Sequence, residues 1–519
     1  MVKKMTAGML TFMGFLFLTA YIRSAATGVV YTDYLRIVSS YLEDVTDFTP
    51  MLHADILTRI PVNYIGRIVN VKLFGYTAMF DMLLGAAGLA FCAAVILSWC
   101  AKRKMRLAAM LVPAFLIFSL DKWEMLTNGT GWVHFWAVGF FYYHFTVYDR
   151  VRNGEAKKGD RRRLVLLPVL TTLLLSGPYC AAYLGAVAAV YLLDYFTGAF
   201  RHPERNGASF LPEEKAGKTG LPDKKAASAE RKTAAAEQKD FLLRMAAVIV
   251  PFILYYISRA CSVEEYAGAS DMGFFEMLGT NFAGFLEFAV RSFAGLVIGG
   301  ETAEQFGIPS GVLILLGIVV IAAYLFALFL NFKEGLTRRT VLPLLLIVMA
   351  LMSHALIIFS RWIFLDPAYG MSSRYALQYM SGSLGILLTF FLCGARRQEC
   401  STDRRPMVDS SSASAGVSGK GSASRKETTE KKLCPGIIAA AAFTILLLAG
   451  QLVTTGREID MAKYRKEYFL MMEDTARNYR NENDAALKKI LQYHDPARTR
   501  KALEILEKQN LNVFRESGL

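Results

Sequence analysis

A chain of 519 residues, 54% hydrophobic and 12% aromatic, with its apolar residues gathered in long blocks, is too greasy for a water-soluble globule and reads as a polytopic membrane protein. The formal charge of +14 would point a soluble protein toward nucleic acid, but here lysine and arginine crowd the connections between apolar blocks, reporting topology and excluding an RNA or DNA partner. Seven scattered cysteines, with no C-x-x-C pair and no histidine at ligand spacing, support neither a disulfide framework nor a zinc site.

Lys3 and Lys4 precede the first apolar run, Thr6–Ile22, and no small-residue cleavage pattern clearly ends it. A retained signal-anchor helix is the expectation. The connection that follows, 23–74, carries Asp33, Glu43, Asp44 and Asp47 and is far too long for a hairpin turn. Its stretch "ILTRIPVNYIGRIVNVKLFG" argues for amphipathic helices lying along the membrane surface.

Further apolar runs fall at 75–100, 107–120, 132–148, 164–176, 179–196, 241–260, 309–331, 340–360, 376–395 and 435–455. With the first they predict an all-α membrane domain, 1–455, of about eleven transmembrane helices, judged against a hydrocarbon layer of ~30 Å. If Lys3 and Lys4 are cytoplasmic, the even connections, such as "AKRKMR", "DRVRNGEAKKGDRRR" and "FKEGLTRR", are rich in Lys and Arg, and the odd ones are poor in them. That alternation predicts an N-terminus inside and a C-terminus outside.

The run Phe282–Ile298 must then not cross, and its midpoint holds Glu287 and Arg291 at i,i+4. It is predicted to lie in the outer interface or dip back into the protein. The segments 197–240 and 396–434 are Ser-, Ala- and Lys-rich without apolar periodicity, as flexible cytoplasmic loops are. The polar tail, 456–519, has helical spacing and a second helix begun at Pro496, which predicts a small helical cap on the outer face.

Chemistry is therefore sought in the outer loops. There is no G-x-S-x-G elbow, H-E-x-x-H pair, phosphate-binding Walker loop or dinucleotide fingerprint. The polar inventory includes Trp123, Glu124, Asn128, His134, Tyr179, Glu264, Glu265, Tyr266, Glu301, Arg361, Asp366, Arg374 and Tyr375.

A first helix followed by an aspartate-bearing outer loop ("YTDY"), some eleven spans, an outer "SSRY" before a late helix, and a polar tail ending "ALEILEKQNLNVF" resemble the GT-C superfamily of membrane glycosyltransferases. The closer resemblance is to its bacterial surface-polysaccharide members and their relatives. It implies an enzyme of the bacterial cytoplasmic membrane that moves a sugar from a polyprenyl-phosphate donor to a glycan or glycolipid acceptor on the outer face. Such transfer needs a carboxylate to take the acceptor proton, cations to hold the phosphate, and aromatics to stack on sugar faces.

Carried over residue by residue, the resemblance makes Asp33 the base and sets Arg374 against the phosphate. Tyr375, His53, Trp123, Asn128 and Tyr179 stand with them as substrate-binding candidates. No metal ligands are identified, although the resemblance allows a divalent metal. The family often shows paired acidic residues at the base position, whereas this chain has Thr32 before Asp33 and Tyr34 after it.

Each residue also has a plainer role. Asp33 can cap a helix, Glu43, Asp44 and Asp47 can form a solvated face, and His53 with Asp55 can be structural. Asn128 can close an outer turn, Trp123 can sit in an interfacial belt, and Arg374 can be a snorkelling anchor. His354, deep in an apolar run, reads as a hydrogen-bonded packing residue. The rival function is a non-catalytic transporter or flippase-like protein for lipid-linked sugars. That would favour inverted repeats and mid-membrane ionisable groups, which are scarce here.

Overall fold

In a bilayer the backbone of a single segment can pair all its own N–H and C=O groups only as a helix, and the apolar runs fold accordingly. The computed structural model describes residues 2–47, 60–197, 224–260, 273–402 and 435–515, and every regular element among them is helical. The elements in the first part are α1 (Val2–Ala25), α2 (Asp33–Tyr41), α3 (Pro61–Val69), α4 (Ala78–Lys102), α5 (Ala108–Phe118), α6 (Trp123–Asn128), α7 (Trp132–Arg152), α8 (Asp160–Thr171) and α9 (Cys180–Thr197). They continue as α10 (Lys224–Ala260), α11 (Phe274–Thr280), α12 (Phe282–Ala294), α13 (Gly300–Gln305), α14 (Ser310–Lys333), α15 (Leu342–Arg361), α16 (Ala376–Thr402), α17 (Pro435–Arg477), α18 (Asp484–Ile490) and α19 (Pro496–Lys508).

Eight helical stretches among the described residues are long and apolar enough to cross a membrane. They differ from the expected runs in three places. The run 107–120 folds as α5, a helix of 11 residues with Pro113 inside it. Helix α7 is diluted by His134, His144 and many aromatics. Residues 160–197 follow one another without a loop, through a π-helical turn at Thr172–Ser176 and a 3-10 turn at Gly177–Tyr179.

That stretch nevertheless doubles back. The last turn of α7 grips both of its ends: Arg150 holds Asp160 through Nε and Nη2, each at 3.1 Å. Arg152 holds Asp194 through Nε at 2.7 Å and Nη2 at 2.9 Å. The reversal falls at Gly177, whose φ of +52° suits a residue without a side chain.

The helix ends gather at two poles. At the basic pole, Lys3 Nζ donates to Lys104 O at 2.6 Å, and the buried Asp149 accepts from Trp99 Nε1, Arg103 Nη2 and Val341 N at 2.9–3.0 Å. At the other, tail-bearing pole, Leu120 N donates to Thr455 Oγ1 at 3.2 Å and Thr32 N to Leu491 O at 2.9 Å. Between the poles α4 and α7 approach so closely that a Cβ on Gly88 would lie 2.9 Å from Trp136 N.

Helix α12 has 13 residues, so at 1.5 Å per residue it is about 20 Å long and short of a ~30 Å crossing. Its Glu287 and Arg291 do pair, at 3.1 Å. The helix dips into the bundle, where Ser292 meets His354 Nδ1 at 3.0 Å and the His354 ring stacks between Phe293 and Tyr379. Among the described residues α12 therefore does not count with the eight stretches of crossing length.

The seat for α12 is Gly317 on α14, where a Cβ would stand 2.1 Å from Val290 O. A backbone oxygen cannot step aside, so Gly317→Ala is expected to destabilise the protein by about 1–3 kcal/mol, seen as a lower melting temperature in detergent. An unchanged melting temperature would show that α12 does not rest on α14 in this way.

Candidate functional site

Asp33 opens α2 directly after a strained turn. Tyr34 N donates to Tyr31 O at 3.0 Å, and Thr32 between them has φ 45° and ψ −121°. This is the first central position of a type II′ turn, which glycine ordinarily fills, and a β-branched residue there is strained. The turn aims Asp33 outward, with its side chain 55% exposed and its Oδ1 3.8 Å from Arg36 Nη2. The next side chain, Tyr34, points inward and donates to Asp81 Oδ2 at 2.7 Å, pinning α2 to α4.

A second wall comes from α6 and the turn before it. Lys122 is wholly buried and gives its protons to Leu116 O and Ser119 Oγ at 3.1 Å and to Asp121 Oδ1. With all three donors used, Lys122 fixes the turn rather than offering a free cation. Glu124, two residues on, accepts from Ser373 Oγ at 2.9 Å and from Arg374 Nε. Arg374 is 53% exposed and engages Glu124 through Nε.

The third wall is the extension of α17 beyond its apolar part. Arg465 lies over the Trp123 ring, 3.0 Å from its centroid, and pairs with Glu458 at 2.8 Å and Glu301 at 3.3 Å. Arg457 joins the same two carboxylates. The Glu458 side chain is only 1% exposed, a buried charge that two guanidinium groups offset.

Tyr31 sits where the walls meet, buried and edge-on to Phe469 of α17 at 5.3 Å. Burial first, and then the negative charge of Glu124, hold its phenol protonated far above the ordinary tyrosine range; Arg374, Asp33 and Arg465 also act on it. Asp33 and Arg374, 341 residues apart in sequence, therefore share one electrostatic neighbourhood.

The other expected residues divide. Trp123 belongs to the site as the platform for Arg465. Tyr375 adjoins Arg374 but is buried against Tyr369 and Tyr379. Tyr179 is buried, stacked on His134 at 4.4 Å and donating weakly to Met125 Sδ. Asn128 accepts from Thr130 N and Oγ1, closing its own turn. Glu43 pairs with Lys501 at 3.0 Å and Asp44 caps Thr46 N at 2.9 Å, both on the surface. Along with Asp55, Glu264, Glu265 and Tyr266, His53 lies outside the described residues.

Sequence reasoning missed Tyr31, Arg457, Glu458 and Arg465, and placed Glu124 and Glu301 only in an inventory. One signal was readable: Glu458 and Arg465 stand seven apart, on one helix face, just past the last apolar run. Among the described residues no three His, Cys, Asp or Glu side chains converge as a metal ion requires. Comparison with protein-family models, curated proteins and solved structures finds no match to this chain.

Glu458→Gln removes the charge that two arginines surround, and breaking a buried pair of this kind costs about 3 kcal/mol or more. The expected result is a clear fall in melting temperature followed by tryptophan fluorescence, with a steeper salt dependence than wild type. No fall would mean that Glu301 alone carries the two arginines.

Proposed function

We propose that the protein is a GT-C-type membrane glycosyltransferase, moving a sugar from a polyprenyl-phosphate donor to an envelope glycan or glycolipid acceptor. The observation that carries the reading is that an exposed carboxylate, Asp33, and an exposed guanidinium, Arg374, both act on the buried Tyr31, beside the Trp123 platform. A multi-pass arrangement, with the basic pole cytoplasmic and the tail pole outside, goes with this reading. It is supported by the gathering of Lys3, Lys104, Asp149 and Thr337 at one pole and of Thr32, Glu124 and Thr455 at the other.

In this mechanism the acceptor hydroxyl attacks the anomeric carbon while Asp33 Oδ takes its proton. The bond from that carbon to the phosphate oxygen breaks, and the electron pair leaves on the phosphate. Arg374 meets the developing charge with its terminal amino groups, and Glu124 keeps the guanidinium in place through Nε. Asp33 suits the part of base because, among the described residues, its ion-pair partner is Arg36 at the long distance of 3.8 Å.

Membranes containing the protein, supplied with a radiolabelled polyprenyl-phosphate sugar, provide the test. Asp33→Asn is expected to lower kcat by about 10²–10⁴-fold, and Arg374→Gln by about 10²-fold. Equal transfer by wild type and Asp33→Asn removes Asp33 from the mechanism. Movement of the lipid-linked sugar across the bilayer without transfer would identify the transporter instead.

A further inference from the structure

The loop that presents Asp33 does not hold itself. Residues 26–32 lie outside any helix, and several of their polar groups find partners hundreds of residues away, in the C-terminal tail. The Asn512 carboxamide is fully used: Nδ2 donates to Gly28 O and to Tyr76 O, each at 2.7 Å, and Oδ1 accepts from Val30 N at 3.3 Å. The Asn512 backbone N–H donates to Gly75 O at 2.8 Å. Its φ of +52° is a conformation asparagine tolerates better than most side chains.

Two further tail contacts act on the same loop. Leu491 O accepts from the N–H of Thr32, the strained residue of the turn, at 2.9 Å. Lys466 Nζ caps the end of α1 through Ala26 O at 2.6 Å and Arg23 O at 3.4 Å. Strain of the kind Thr32 carries persists only where the surroundings fix it, and here the tail supplies that fixing.

We propose that Asn512 is a positioning residue, its carboxamide clamping loop 28–32 to the tail so that the Thr32 turn keeps Asp33 directed at the site. The amide's hydrogen bonds all go to backbone groups of Gly28, Val30 and Tyr76, which leaves it no donor for a substrate. Its effect on transfer is therefore on the placement of Asp33, and this part of the inference rests on the glycosyltransferase reading.

The test uses the full chain in lipid nanodiscs with two readouts, hydrogen exchange of the peptide spanning 26–35 and transfer kinetics with a labelled polyprenyl-phosphate sugar. Asn512→Gly removes the amide while leaving the positive φ unstrained; Asn512→Asp keeps the size and acceptor but loses both donors. Both are expected to speed exchange at 28–32 about tenfold and to lower kcat about tenfold or more, with the donor KM unchanged, as misplacement of a reacting group does.

Exchange unchanged in both variants overturns the clamp. Faster exchange with kcat intact overturns the positioning role. A donor KM that rises while kcat holds assigns Asn512 to binding and also overturns it. A wild type that transfers no sugar removes the functional reading instead, and exchange alone then decides whether Asn512 holds the loop.

Discussion

An ionised carboxylate inside a helical bundle must be met by donors, and that requirement fixes one pole of this molecule. Asp149 takes Trp99 and Arg103 from α4 and the Val341 amide at the start of α15, so one side chain of α7 ties three helices together. Asp160 and Asp194 do the same for α8 and α9 through Arg150 and Arg152. Replacing such pairs with apolar residues is often neutral for stability, whereas breaking one is not. Their value here is register: each arginine can satisfy its aspartate only when both helices end at the same depth.

With the basic pole tied, variation is left to the other pole, and its chemistry is of a different kind. Its carboxylates are unequal. Glu458 is enclosed by Arg457 and Arg465, Glu124 is held by Ser373 and Arg374, and Asp33 has only a distant arginine. Two of the three thus serve to fix cations in place, and the third is more than half exposed. The carboxylate proposed as proton acceptor is the one least engaged by a neighbouring cation.

The long apolar runs were legible because helix formation in a bilayer depends on local composition, and the Glu287–Arg291 pair read from its i,i+4 spacing does form. Asp33 and Arg374 were legible as polar residues of the connections between apolar runs. What sequence could not supply was which loops meet. Nothing near Asn512 announces that its amide will reach Gly28, nor does Tyr31 reveal that Glu124 and Arg465 will surround it. Such partners are set by the packing of helices far apart in the chain, and period and composition carry no record of that.

The same separation explains why Thr32 stands where a glycine would relieve strain. A glycine would let the turn between α1 and α2 form unaided and also let it open unaided, since its unfolded alternatives are many. Threonine makes the turn conditional on the Leu491 carbonyl and the Asn512 amide. Folding of the loop is then coupled to docking of the tail, and Asp33 takes its place only in a molecule whose two ends have found each other.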